Sequence, residues 1–385
     1  MTFNLAETTR MIEVARALDP APRAVFMGYE DDFVHLIREA GFEYHPCSPS
    51  WSAQERQRAI DFDQGKAIRS PFTRELVAAR VAVERRMIRQ HRAAAVVIGS
   101  NVTSMISARA EGVPLYYPVP FALTGPQVRQ VRRLRFVAGE GMIAGTADRI
   151  ATAAFRWVYT RAPLRTVASL LEADVNLVTV MPWELDDFAL PENYQRVGPI
   201  FARLGGEVPA LVRALAAAPE PLIYLGLGSS ARRELALAAA TQLGALPINV
   251  LAPIGHYLEP GDVVPPNIHV TDLLPAHLLG GLVDAAVLHG GQGTVQTACA
   301  TGIPFVGMGL QPEQTWNVRV CQRQGNAIAF SPKHVSKPAF LTAVRRILDD
   351  PAYRNAATRV REQYEREDGA AAAARIIEAG LPGRT

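Results

Sequence analysis

The hexapeptide His289-Gly290-Gly291-Gln292-Gly293-Thr294 sets an imidazole, three glycines and a hydroxyl directly after the apolar run Ala285-Ala286-Val287-Leu288. Small residues at a turn let a ligand approach the backbone, and a helix that begins there presents N–H groups without intrahelical partners. Such a helix start carries partial positive charge and suits a diphosphate. His289 adds a side-chain donor at the end of a strand, the edge at which open α/β sheets take their ligands, where it could bond a phosphate oxygen. For these six residues taken alone, a histidine that merely caps the turn accounts for the pattern equally well.

The elements that must position this turn are legible on both sides of it. The stretch Asp284 to Gln314 reads strand, glycine turn, helix, turn, strand. Through most of the chain, short apolar runs alternate with longer amphipathic stretches, the pattern of parallel strands joined by helices, so the class is α/β. In the first half, Ala24 to Met27, Ala94 to Ile98 and Val113 to Tyr117 read as strands and Glu75 to Arg92 as a helix. The rhythm restarts with Pro221 to Leu225, Ile248 to Leu251, Ile268 to Val270, Ala285 to Leu288 and Phe305 to Met308. Gly198-Pro199-Ile200 and Gly205-Gly206 supply turn formers between the halves, which places the linker there. A chain of 385 residues exceeds what one core usually holds. The expectation is therefore two Rossmann-like domains facing a cleft: residues 1–200, residues 216–360, and a C-terminal helical segment at 361–385.

Composition narrows the class of function. Apolar residues at 49% and charged residues at 20% describe a globular chain with no run of membrane-spanning length. The start Met1 to Glu7 has no basic segment followed by an apolar block, so a cytoplasmic protein is expected. Cys47, Cys299 and Cys321 are odd in number and widely spaced, which fits neither a disulfide framework nor a zinc site. A net charge of +3, without interleaved aromatic and basic residues of nucleic-acid type, gives no reason to expect a nucleic-acid partner.

The whole block from Asp284 to Gln314 resembles the donor-binding signature of the UDP-glycosyltransferase superfamily, the nucleotide-sugar transferases of GT-B fold, in its bacterial natural-product branch. The shared elements are His289 to Thr294, Gly302-Ile303-Pro304, Glu313-Gln314 and Asn317, matched without a gap. The resemblance implies that His289, Gly291, Gly293 and Thr294 contact the diphosphate of a nucleotide-sugar donor while Glu313 and Gln314 hold the sugar hydroxyls. A carboxylate and an amide can together accept from and donate to vicinal hydroxyls. Leu225-Gly226-Leu227-Gly228-Ser229 matches the first strand and turn of the family's donor domain, which makes Ser229 a further phosphate donor. Pro266 to Pro275 matches the segment that frames the nucleobase and includes Leu274. No metal and no cofactor are implied, and the acceptor would be a hydroxyl-bearing small molecule or lipid.

Two departures from the family pattern bear on mechanism. The family commonly carries a ribose-binding Glu eight residues after the motif His, where this chain has Thr297, leaving deoxythymidine as well as uridine diphosphate donors open. Gln296, beside it, is expected to point elsewhere. The usual catalytic His–Asp pair is also missing: alignment on Ala15-Arg16-Ala17-Leu18 puts Glu7 where the His would stand, and no acid occurs at Gly99-Ser100-Asn101. Glu7 is then the candidate general base, with a first-turn glutamate favoured by the helix dipole as the structural alternative. Only Thr2 to Leu5 remains for a first strand, so either that strand is very short or the true start lies upstream. The resemblance implies inverting transfer of a hexose. A nucleotide-sugar epimerase on the same fold and a non-catalytic nucleotide-sugar binder are the rival readings.

Other residues read as structural. Val128 to Arg165 carries eight arginines against Glu140 and Asp148, which suits peripheral contact with anionic lipid or an anionic acceptor, although a solvated helix face explains it more simply. The same solvated reading is expected for Arg80, Glu84, Arg85, Arg86 and Arg89. His256, His269 and His277 lack partners at metal-ligand spacing, and Cys299 reads as a small core residue.

Overall fold

The computed structural model describes residues 5–19, 23–52, 54–56, 58–59, 71–99, 101–127, 172–186, 188–228 and 231–382. Ser229, the stretch 128–171 with its arginines, and residues 1–4 lie outside the described residues. The chain divides into two compact units, Met1–Gly198 with Asp368–Thr385, and Pro199–Glu367.

The first unit opens on helix α1 (Leu5–Ala17), so Leu5, expected in a strand, is helical. A parallel pair follows, β1 (Val25–Gly28) and β2 (Glu43–Pro46), joined through α2 (Val34–Glu39). Helix α3 (Arg74–Gln90) begins at Thr73, whose side chain accepts from the Leu76 N–H and satisfies one orphan donor of the first turn. Strand β3 (Val96–Val97), α4 (Ser104–Glu111), β4 (Leu115–Val119), β5 (Val175–Val178), α5 (Pro182–Leu185) and β6 (Tyr194–Arg196) complete it. The last four strands form a parallel sheet in the order β3-β4-β5-β6. Its core packs Ile98, Met105, Ala108, Leu115, Tyr117 and Val119 together.

The second unit runs α6 (Ala210–Ala216), β7 (Leu222–Gly226), α7 (Arg233–Leu243), β8 (Asn249–Ala252), β9 (Ile268–Val270), β10 (Ala285–Leu288), α8 (Gln292–Thr301), β11 (Phe305–Gly307), α9 (Pro312–Gln324), β12 (Ala327–Ala329), α10 (Pro338–Asp349) and α11 (Pro351–Tyr364). Its six strands are all parallel in the order β12-β11-β10-β7-β8-β9. This is the doubly wound order in which the chain builds outward from β7 on one side and then from β10 on the other. The direction of winding reverses between β7 and β10, so the connections that leave their paired carboxyl ends part there, the kind of place where such sheets bind ligands. The strands are buried on both faces, which is why they read as unbroken apolar runs such as Leu222-Ile223-Tyr224-Leu225. Helix α12 (Gly369–Ala379) returns to the first unit and packs on α1, where Glu378 accepts from the Asp19 N–H at 2.6 Å.

The structure corrects the solvated reading of α3. Arg80 and Glu84 are fully buried, on one face with Val77, Val81 and Ile88. Arg80 lies 4.0 Å from the Tyr29 ring centroid and 4.5 Å from that of Trp51, donates to the Pro49 carbonyl and faces Glu30 at 3.3 Å. Glu84 accepts from the Tyr29 hydroxyl and the Asn101 amide, each at 2.9 Å, and from Thr103 and Ser107. A buried charge persists only when paired and hydrogen-bonded: Arg80 has Glu30, while Glu84 is held by neutral donors and burial pushes its carboxyl pKa above the ordinary value. Arg85 and Arg89 do lie toward solvent and share Glu111.

Candidate donor-binding site

The site is assembled where β7 and β10 end side by side. His289 follows β10 and is 6% exposed, with its Nδ1 3.1 Å from the Gly226 carbonyl at the end of β7. That bond ties the two strand ends across the point where the winding reverses. A Cβ at Gly228 would stand 2.9 Å from His289 Nε2, and one at Gly291 would stand 2.4 Å from it. Only glycine therefore fits on either side of the ring, and the two together clear the approach to Nε2. Burial pushes the His289 pKa below its ordinary value, opposed by the Gly226 carbonyl.

Helix α8 starts at the same point. Its preceding residue Gly291 supplies no side-chain cap, and the Val295 N–H makes the bond back to the Gly291 carbonyl, so the Gly293 and Thr294 amides precede it. A first turn of this kind is a site for anionic oxygens. Gly290 has φ of 87°, and a Cβ there would lie 2.8 Å from the Gln314 carbonyl, so a side chain at this corner would strike α9. The turn and α9 are thereby held in contact.

Glu313 and Gln314 stand in the first turn of α9. Gln314 is 3% exposed, its Oε1 accepting from the Leu310 N–H at 2.9 Å and its Nε2 donating to Gln311 at 3.3 Å. Glu313 is half-buried and accepts from Asn317 at 2.6 Å. Thr297 is turned onto its own helix, donating to the Gly293 carbonyl at 2.8 Å, and Gln296 accepts from the Ile200 N–H. Leu274 is buried just ahead of the turn Ala276–Leu278, which packs on α8, while Leu273 and Leu278 are exposed beside it.

Glu7 belongs to the first unit. It is buried in the first turn of α1, paired with Arg10 at 2.9 Å and lying against Gly99 just beyond β3. Arg10 in turn reaches the Pro118 carbonyl of β4 at 3.4 Å. Among the described residues no cluster of three or more His, Cys, Asp or Glu could hold a metal ion, and no helix is long and apolar enough to cross a membrane. The three cysteines are free and buried, and the Cys299 and Cys321 thiols lie 3.7 Å apart, a neighbourhood that their sequence spacing conceals.

The sequence does not display the Gly226 carbonyl, the Gly228 clearance or the two acceptors of Asn317. The repeated glycines of Leu225 to Ser229 were the available signal, but their meaning depends on β7 lying beside β10.

Comparison with known proteins bears on the fold and on the class of activity. Residues 241–379 match the family described as erythromycin biosynthesis protein CIII-like, C-terminal domain. A PGL/p-HBAD biosynthesis glycosyltransferase of Mycobacterium tuberculosis is 24% identical over 380 residues, 94% of this chain and 86% of that one. The 4'-demethylrebeccamycin synthase of Lentzea aerocolonigenes is 32% identical over 160 residues, 41% of this chain and 38% of that one. The crystal structure of glycosyltransferase VinC in complex with dTDP superposes with a TM-score of 0.66 at 18% identity, covering 97% of this chain and 95% of VinC. The protein is an enzyme of sugar transfer with the GT-B fold. Within that class its similarity over residues 241–379 is to proteins of the bacterial natural-product type.

Proposed function

We propose that the enzyme moves a hexose from a dTDP or UDP donor to a hydroxyl of a small-molecule or lipid acceptor, with inversion at the anomeric carbon. One observation carries the donor half of this reading. The buried His289 Nε2, cleared by Gly228 and Gly291, stands beside the uncapped start of α8 at the end of β10. His289, the Gly293 and Thr294 amides and the helix dipole would bear on the diphosphate as it departs, stabilising the negative charge that grows in the transition state. Glu313 would accept from the sugar hydroxyls. Thr297, bonded to its own helix, offers no carboxylate to a ribose, which supports a dTDP donor over UDP. Glu7 would take the proton of the acceptor hydroxyl, exchanging its ion pair with Arg10 for the transferred proton.

A thermal-shift screen with dTDP, UDP and their glucose derivatives tests the donor assignment, because a ligand that binds only the folded state must raise its melting temperature. The expected result is a rise with dTDP and dTDP-glucose. No rise with any of the four would overturn the assignment.

A further inference from the structure

Asn317 is buried in α9 and has a side-chain amide with two N–H donors. One bond goes to the Gly290 carbonyl at 3.0 Å and the other to Glu313 Oε1 at 2.6 Å. Both partners are acceptors, so the amide orientation is fixed and a carboxylate of the same shape could not take its place. The first partner is the corner of the turn that follows His289. The second is the side chain one helical turn before Asn317 in α9. Gln314, the other amide of this helix start, bonds Leu310 and Gln311, while Asn317 bridges the turn and the carboxylate.

We propose that Asn317 is a positioning residue that locks the Glu313 carboxylate to the diphosphate turn, so that sugar and diphosphate are recognised at one fixed spacing. The proposal rests on the reading of Glu313 as the sugar-binding carboxylate. Without Asn317, Glu313 keeps its charge but loses a bond that ties it to the Gly290 corner, and a carboxylate held less firmly there recovers less from two vicinal hydroxyls. The effect belongs to the sugar and not to the nucleotide.

The quantity to measure is the sugar increment, the dissociation constant of dTDP divided by that of dTDP-glucose, determined by titration calorimetry on the full chain with UDP and UDP-glucose run alongside. Asn317→Ala is expected to lower this ratio about tenfold, the scale of one charge-assisted hydrogen bond. Glu313→Ala lowers it as well, and adding Asn317→Ala to Glu313→Ala lowers it no further, because Asn317 acts through Glu313. Asn317→Ser, which keeps one donor in a smaller side chain, falls between wild type and alanine, and carries the test if the alanine variant does not fold. Equal weakening of both ligands, or a loss that adds to that of Glu313→Ala, would make Asn317 a structural residue only and overturn the proposal. A ratio unchanged in Glu313→Ala alone would instead overturn the reading of Glu313.

Discussion

The Nδ1–H of His289 is committed to the Gly226 carbonyl, and this decides what its Nε2 can do. A carbonyl only accepts, so the neutral ring carries a lone pair on Nε2, and a phosphate oxygen is likewise only an acceptor. Contact with the diphosphate therefore requires the imidazolium, which burial disfavours in the free protein. Donor binding should take up a proton at neutral pH. The affinity for dTDP-glucose, whose diphosphate is esterified at both ends, is expected to fall as pH rises from 6 to 8, by up to about tenfold per unit. Calorimetry in two buffers of different ionisation enthalpy reads the proton directly, and His289→Gln should flatten the profile. A flat wild-type profile would mean that Nε2 does not meet phosphate. Because the folded pKa is depressed, the contribution of His289 to stability is fully present above its ordinary pKa of about 6.5 and is lost as pH falls through the lower folded value. His289→Ala should cost nucleotide binding about 1.5–3 kcal/mol in a folded protein. Glu7→Gln, which keeps size but removes the proton acceptor, should cut transfer about 100-fold while leaving donor affinity intact. Transfer at near wild-type rate would leave Glu7 a structural partner of Arg10.

Helix α3 is the element whose sequence most misleads. Its arginines read as a solvated face, yet Val77, Arg80, Val81, Glu84 and Ile88 form one buried stripe at spacings of three, four and seven, in which Arg80 meets the segments after β1 and β2 and Glu84 meets the start of α4. The hydrophobic periodicity was present but was outweighed by the charge count. Arg80→Ala would remove the buried cation that faces Glu30 and open a gap between Tyr29 and Trp51. The expected destabilisation is about 3–5 kcal/mol, read from urea unfolding. A loss below about 1 kcal/mol, the scale of an exposed pair, would contradict the buried arrangement.

At the scale of the molecule, the chain leaves the first unit, builds the second, and returns. Helix α12 buries Ala373, Ala374 and Ile377 in the first unit, and its Glu378 holds the Asp19 N–H of the segment after α1. Removing residues 368–385 should therefore destabilise the first unit, while the second, which carries the proposed donor site, keeps its nucleotide-dependent rise in melting temperature. Loss of the nucleotide response in the truncated but folded protein would assign α12 to the second unit instead.

The sequence by itself determined the α/β class, most strands and the glycine turn after β10. Runs such as Ala285 to Leu288 are apolar because both faces of a parallel strand are buried, and the His-Gly-Gly-x-Gly-Thr pattern encodes a local strand-to-helix turn. These properties reside in neighbouring residues. What only the tertiary structure decided depends on residues far apart in the chain. The order β12-β11-β10-β7-β8-β9 brings Gly226 to His289 across 63 positions and gives Gly228 its purpose. Packing of α9 on the turn gives Asn317 two acceptors, and packing of α3 against α4 and the segments after β1 and β2 buries Arg80 and Glu84. Hydrogen bonds and burial are properties of partners, and partners separated by tens of residues leave no periodicity for a sequence to display.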